Sequence, residues 1–202
     1  MKYLNIQSIR QEFLELFIKF KILLILLFFS NANISFASFF LEPSYNHYQG
    51  SFINDGETGD LTGQVLGLNM GHLGQHFMIG FTIETGKYSY DKNFTSHNSS
   101  QFDGGGIGTF VGFHFWNNLK IWTGYLNSTL EPTSNNDTRY FGQHFSYGLG
   151  YRIYEGLMIN FYAFSNQFTQ IEDDTTGKTT GLDSHIKTDG HNLSLSYMVI
   201  FN

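Results

Sequence analysis

Across residues 140–153 the chain alternates with a period of two. The odd positions carry Phe141, Gln143, Phe145, Tyr147, Leu149, Tyr151 and Ile153, and the even positions carry Gly142, His144, Ser146, Gly148, Gly150 and Arg152. Two is the side-chain period of a β-strand, because successive Cβ atoms point to opposite faces of a sheet. A polar face turned to bulk water would be rich in Lys, Glu and Asp, whereas this one is mostly glycine. A row of small and polar residues opposite a row of large apolar ones fits the crowded interior and lipid-facing exterior of a narrow barrel.

The pattern recurs along the chain. Residues 61–72 set Leu66, Leu68 and Met70 against Gly63, Gly67, Asn69 and Gly71, and residues 76–90 set Phe77, Ile79, Phe81 and Ile83 against Gly80, Thr82, Glu84 and Gly86. Further strands are expected at 102–115, 157–171 and 191–201, each with the same two faces. In 39–52 the outward row is Phe39, Leu41 and Tyr45. Pro43 withdraws a ladder donor from that strand, so it should lie near a strand start or a local irregularity. The phase of 119–130 stays open: Ile121, Thr123 and Tyr125 compete with Trp122, Leu126 and Leu130 for the outside, and a bulge is one resolution.

The segments between these eight strands read alternately long and short. Residues 54–60, 91–101, 131–137 and 172–190 are polar and long, the last being the longest and acidic; Leu73-Gly74-Gln75, Trp116-Asn117-Asn118 and Tyr154-Glu155-Gly156 are tight. This order predicts an all-β, eight-stranded antiparallel up-and-down transmembrane barrel with both ends in the periplasm and its long loops outside. A soluble lipocalin-like barrel also has eight strands, but its bulky residues would face inward and its loops need not alternate.

Residues 1–37 read as a signal peptide, with Lys2, Arg10, Lys19 and Lys21 ahead of an apolar run at 22–29 and the cleavage signal Ser35-Phe36-Ala37. The run is too short to span a bilayer as a helix, which takes about 20 residues. An uncleaved amphipathic anchor carrying Glu12 and Glu15 is the alternative. Residues 38–202 then form one barrel domain. The presequence holds 4 of the 11 Lys and Arg and 2 of the 17 Asp and Glu, which leaves 7 against 15, a formal charge of −8. Such a surface repels nucleic acid. Cysteine is absent, so the fold is held without disulfides. No later run is apolar enough for a helical span, and a closed barrel is the other structure that crosses a bilayer with its backbone paired.

With these features together, the chain from Ser38 onward resembles the small outer-membrane β-barrel family that includes OmpX, OmpW and the OmpA barrel. The resemblance rests on Gly148-Leu149-Gly150-Tyr151-Arg152-Ile153 entering a short turn and on Leu193-Ser194-Leu195-Ser196-Tyr197-Met198-Val199-Ile200-Phe201 at the end. It implies an integral protein of a Gram-negative outer membrane, monomeric, surrounded by outer-membrane lipid and lipopolysaccharide and delivered by the barrel assembly machinery. In the family a terminal aromatic residue is part of the assembly signal; here Asn202 follows Phe201. Trp116, Tyr151, Tyr154 and Phe201 fall where an aromatic girdle would meet the periplasmic interface.

The lumen should contain Glu42, Glu84, His114, His144 and Arg152, with Lys120 dependent on the phase of its strand. Charges there should pair in a hydrogen-bonded network that fills the barrel. Two functional alternatives to a structural or surface-interaction role follow. One is a porin-like narrow conduit for small solutes. The other is enzymatic: His144 and Ser146 share a face, as a base and nucleophile would, and are similar to the His-x-Ser pair of the outer-membrane lipid A deacylases. However, Tyr147 follows the serine where those enzymes commonly have Asn, and the nearest downstream acid, Glu155, lies in a turn. Asp173, Asp174, Asp183, Asp189 and His185 would draw cations to the last loop, but without the spacing of a calcium loop. No metal site and no cofactor is expected.

Overall fold

A computed structural model describes residues 38–54, 57–91, 101–115, 118–133 and 138–201. The expected signal segment and Trp116 lie outside them. The strands are β1 (Ser38–Asn54), β2 (Glu57–Leu73), β3 (Phe77–Tyr90), β4 (Gln101–Phe115), β5 (Leu119–Pro132), β6 (Thr138–Tyr154), β7 (Leu157–Asp173), β8 (Lys178–Tyr197) and β9 (Val199–Phe201). Each pairs antiparallel with its sequence neighbour, and β1 closes the wall by pairing with β8 and β9. Since β9 resumes β8 after Met198, the wall is eight-stranded.

Closure fixes the geometry of the barrel. Register partners followed once around the wall run Leu41, Met70, Phe81, Thr109, Tyr125, Phe145, Ser165 and Asp189, and return to β1 at Ser51, ten residues beyond the start. An offset of this kind requires strands tilted by roughly 35–45° and encloses a bore that side chains can fill.

The end with Ser38, Phe201 and the turns at 74–76 and 155–156 is called basal here, and the opposite end distal. From the basal rim upward the exterior is a belt of exposed large groups, including Phe39, Ile79, Phe81, Ile83, Ile121, Phe145, Tyr147, Leu149, Ile159, Phe161, Leu193 and Leu195. An apolar surface of this extent is costly in water and suits a bilayer's hydrocarbon. Tyr151, Tyr154 and Phe201 are exposed at its basal edge.

β5 is regular. Its inward row is Lys120, Trp122, Gly124, Leu126, Ser128 and Leu130, and its outward row holds Ile121, Thr123 and Tyr125. The sequence offered bulky groups at both parities because the indole, leucines and lysine of β5 are themselves lumen filling. The bulges occur elsewhere, in the β6–β7 pairing at Phe141/Gly142 and Arg152/Tyr154 and in the β7–β8 pairing at Phe168/Gln170. Pro43 sits inside β1, and its ladder to the last strands lapses between Ser44–Ser196 and Leu41–Val199. The missing donor thus coincides with the interruption between β8 and β9, where Met198 N–H bonds instead to Gly156 O at 2.8 Å in the β6–β7 turn.

The connections differ from the expected alternation. Only residues 55–56 separate β1 from β2, and the segment 172–190, expected as the longest loop, is largely strand: β7 runs to Asp173, a turn occupies 174–177, and β8 begins at Lys178. Thr179, Thr180 and their neighbours are polar because both strands continue past the apolar belt into water, and β-branched threonine favours a solvated strand.

Candidate functional site

The interior has three zones. Distally, Tyr48, Phe52, Leu61, Val65, Tyr90, Phe102, Leu130, Tyr140, Phe164, Phe168 and Ile186 form one apolar cluster, against which Ile171 and Leu182 of the β7–β8 hairpin pack. Basally, Phe40, Met78, Phe110, Met158 and Met198 form a second, with Leu73 against it. Polar groups lie between these clusters and along the basal side of β4–β6. Among the described residues the lumen contains a single ion pair, and its expected charged groups sit among apolar clusters rich in aromatic rings. Packing rings satisfies the bore without the desolvation that each buried ion brings.

That ion pair is Lys120–Glu42. Lys120 stands on β5, across the barrel from β1, and its side chain passes over Gly150, where a Cβ would lie 2.7 Å from Lys120 Cε and 2.2 Å from Asn160 Oδ1. Glu42 is fully buried. Its Oε1 also accepts from Ser196 Oγ at 2.6 Å, and Ser196 Oγ accepts in turn from Asn160 Nδ2 at 2.8 Å. The pair thus ties β5, β1, β8 and β7 together.

Among the described residues, no cation pairs with Glu84 on β3. Tyr48 OH donates to its Oε2 at 2.8 Å, Tyr162 OH donates to Tyr48 at 2.9 Å, and Asn192 Nδ2 donates to Tyr162. Every bond in this chain points toward the carboxylate, so each donor is polarised by the next. Tyr162 also meets Trp122 edge-on, with centroids 4.8 Å apart. Glu84 and Leu126 border two small cavities of about 20 Å³ and 30 Å³, each with room for a water or two.

His144 and Ser146 both face the lumen and are buried. They make no hydrogen bond to each other. The His144 ring stacks on Phe164 at 5.8 Å and 7° and meets Tyr48 edge-on. His144 borders the smaller cavity and Ser146 the larger. Without a hydrogen bond between them, His144 and Ser146 do not make the base–nucleophile contact that acyl transfer uses.

His114 and Arg152 face inward at the basal end, His114 opposite Lys120 in the β4–β5 register. His114 Nε2 and Arg152 Nε are buried without a hydrogen-bond partner, as are Glu42 Oε2, Trp122 Nε1, Asn160 Oδ1 and Asn192 Oδ1. Of the residues expected in the last loop, Asp173 uses its carboxylate on its own turn, accepting from Thr175 N at 2.9 Å and Thr176 N at 3.1 Å. These bonds, the Thr175 hydroxyl first, hold it below the ordinary aspartate value. Asp174 lies 3.6 Å from Arg139, which also pairs with Glu131; the bond to Glu131 raises the Arg139 value. Asp189 is on the outer wall of β8. The side chains of Asp183 and His185 lie outside the described residues. Among those described, no group of acidic and histidine residues is arranged to hold a metal ion.

Tyr48 belongs to this site as well, and the structure fixes Lys120 on the inner row of β5. The available signal was parity: Tyr48 falls on the inner row with Glu42 and Asn46, where a tyrosine needs a partner for its hydroxyl.

No protein-family model and no curated protein sequence matches the chain. Solved structures do. Neisserial surface protein A superposes with a TM-score of 0.50 at 9% identity, over 79% of this chain and 96% of that one. Ail of Yersinia pestis, in complex with the heparin analogue sucrose octasulfate, superposes with a TM-score of 0.50 at 10% identity, over 80% and 99%. At these identities the likeness is one of fold, and it agrees with the closed wall, the apolar belt and the packed bore: this chain is an eight-stranded antiparallel β-barrel with the fold of the small outer-membrane barrels.

Proposed function

We propose that the protein is an integral outer-membrane barrel, its basal end in the periplasm, that serves as a surface-interaction protein through the distal extension of β6, β7 and β8. The observation that carries this reading is an open strand edge. β1 pairs with β8 only as far as Ile53–Lys187. Beyond that point Ile186 and Lys178–Gly181 pair with β7 on one side, across a bulge at residues 182–185, and among the described residues no strand covers the other. An unpaired edge of this kind is a template for an added strand from an extended partner segment. The negative formal charge expected for residues 38–202 disfavours polyanions as partners and favours neutral or basic extended peptides.

A non-catalytic role is supported by the separation of His144 from Ser146, and a role other than conduction by the apolar clusters at both ends of the bore. The test is to pan an extended-peptide display library on the protein in detergent micelles and on a variant whose hairpin is shortened to a tight turn between residues 171 and 187. Peptides recovered by the full hairpin and lost by the short one support the reading. Equal recovery by both would sink it.

A further inference from the structure

The basal side of β4–β6 carries a charge that the protein does not balance. Lys120, Arg152 and Glu42 are the charged groups around His114. Glu42 is engaged through Oε1 by Lys120 and Ser196, and among the described residues no carboxylate pairs with Arg152. One guanidinium is therefore left over at the basal end, where its register partner on β7 is Met158, which packs with Phe40, Met78 and Met198 in one apolar cluster. A charge beside an apolar, poorly screened surface strongly favours a counter-ion.

Geometry directs that counter-ion to one place. Lys120 extends over Gly150 of β6 to its partner Glu42, so the unpaired groups of the β4–β6 wall are His114 and Arg152. The Arg152 backbone is fixed by its N–H to Asn118 O, 2.7 Å. Two orphaned nitrogens, Arg152 Nε and His114 Nε2, mark the site, and His114 is only 9% exposed. Leaving two buried donors unpaired costs about 1–3 kcal/mol each. An oxyanion answers both needs, since its oxygens accept from a guanidinium in a bidentate manner and from a neutral imidazole N–H. A water bridging to Glu42 Oε2 would satisfy lone pairs and leave the charge.

We propose that the basal mouth is an oxyanion site in which Arg152, assisted by His114, binds a phosphate group presented from the basal side, either free or as the headgroup of a lipid. The test uses the protein extracted from membranes in non-ionic detergent. Inorganic phosphate is titrated at constant ionic strength and followed by phosphorus NMR and calorimetry, and in a second arm the protein is placed in phosphatidylcholine vesicles with or without phosphatidate, free phosphate being excluded. Saturable binding in either arm is expected, with Arg152→Gln weakening it by about tenfold or more. Arg152→Lys, which keeps charge but not the bidentate fork, should fall between. Binding in the first arm alone assigns a free oxyanion, and binding in the second alone assigns a headgroup. Heat-modifiable migration on gels checks that each variant is folded. The proposal is overturned by absence of saturable binding in both arms, or by folded Arg152→Gln or Arg152→Lys that binds as the unsubstituted protein does.

Discussion

Lys120 and Glu42 show what a single contact decides in this lumen. Removing one member of a buried pair leaves an uncompensated charge, which costs about 3–5 kcal/mol, whereas replacing both with uncharged groups of similar size is nearly neutral. Lys120→Met should therefore lower the unfolding free energy in urea–micelle titrations by that amount, and Lys120→Met combined with Glu42→Gln should recover most of it. A Lys120→Met protein as stable as its parent would mean that Glu42 finds another partner. Gly150→Ala tests the same contact from the backbone. Its methyl would meet Lys120 Cε at 2.7 Å and Asn160 Oδ1 at 2.2 Å, and overpacking of this kind costs about 1–3 kcal/mol. The same titration reads it. The inner row of Gly142, Gly148 and Gly150 was visible in the sequence, but not which long side chain each glycine admits, because those chains come from other strands.

Among the elements, the β7–β8 hairpin departs most from what its composition implied. Acidic residues, threonine and glycine in 172–190 looked like loop, yet two strands run through it and end in a turn organised by Asp173. Gly177 N–H bonds to Asp173 O at 2.7 Å, and Gly177 holds a left-handed φ of 63°, which suits glycine. The Asp173 carboxylate titrates below its ordinary value because the turn's N–H and hydroxyl groups bond to its charged form. A lowered folded-state value means that the turn's contribution is fully present above the free aspartate pKa of about 3.9 and is lost as pH falls through the lowered one. Amide exchange at Thr175 and Thr176 should therefore show protection at neutral pH that fades in strong acid, and Asp173→Ala should remove the pH dependence. Protection unchanged by that substitution would show that the backbone bonds alone hold the turn. β5 gives the complementary lesson: its alternation was regular, but with bulky residues at both parities only packing against Tyr162 and Glu42 identifies the inner face.

For the whole molecule, the bore is packed at two levels by apolar clusters, and its two small cavities near Glu84 hold a few waters at most. In planar bilayers the protein is expected to show no stepwise conductance; discrete openings would mean that one of the clusters moves aside. Boiled and unboiled samples should migrate differently on gels, since a closed wall without a weak edge in the membrane keeps its shape in detergent.

The sequence by itself determined how many strands make the wall and, in every strand but β5, which row faces outward, because alternation with period two is a local property of an extended backbone, read within a few residues. It also placed Glu42, Glu84, His114, His144 and Arg152 on inward rows. Only the closed structure decided who meets whom inside. Lys120 finds Glu42 from 78 positions away in the chain, and the ten-residue offset accumulated around the wall sets which inward groups share a level. That offset is a sum of registers over all strand pairs, so no single segment contains it. His144 and Ser146, two apart on one strand, border different cavities, and Arg152 and His114 both face the basal end from strands separated by β5.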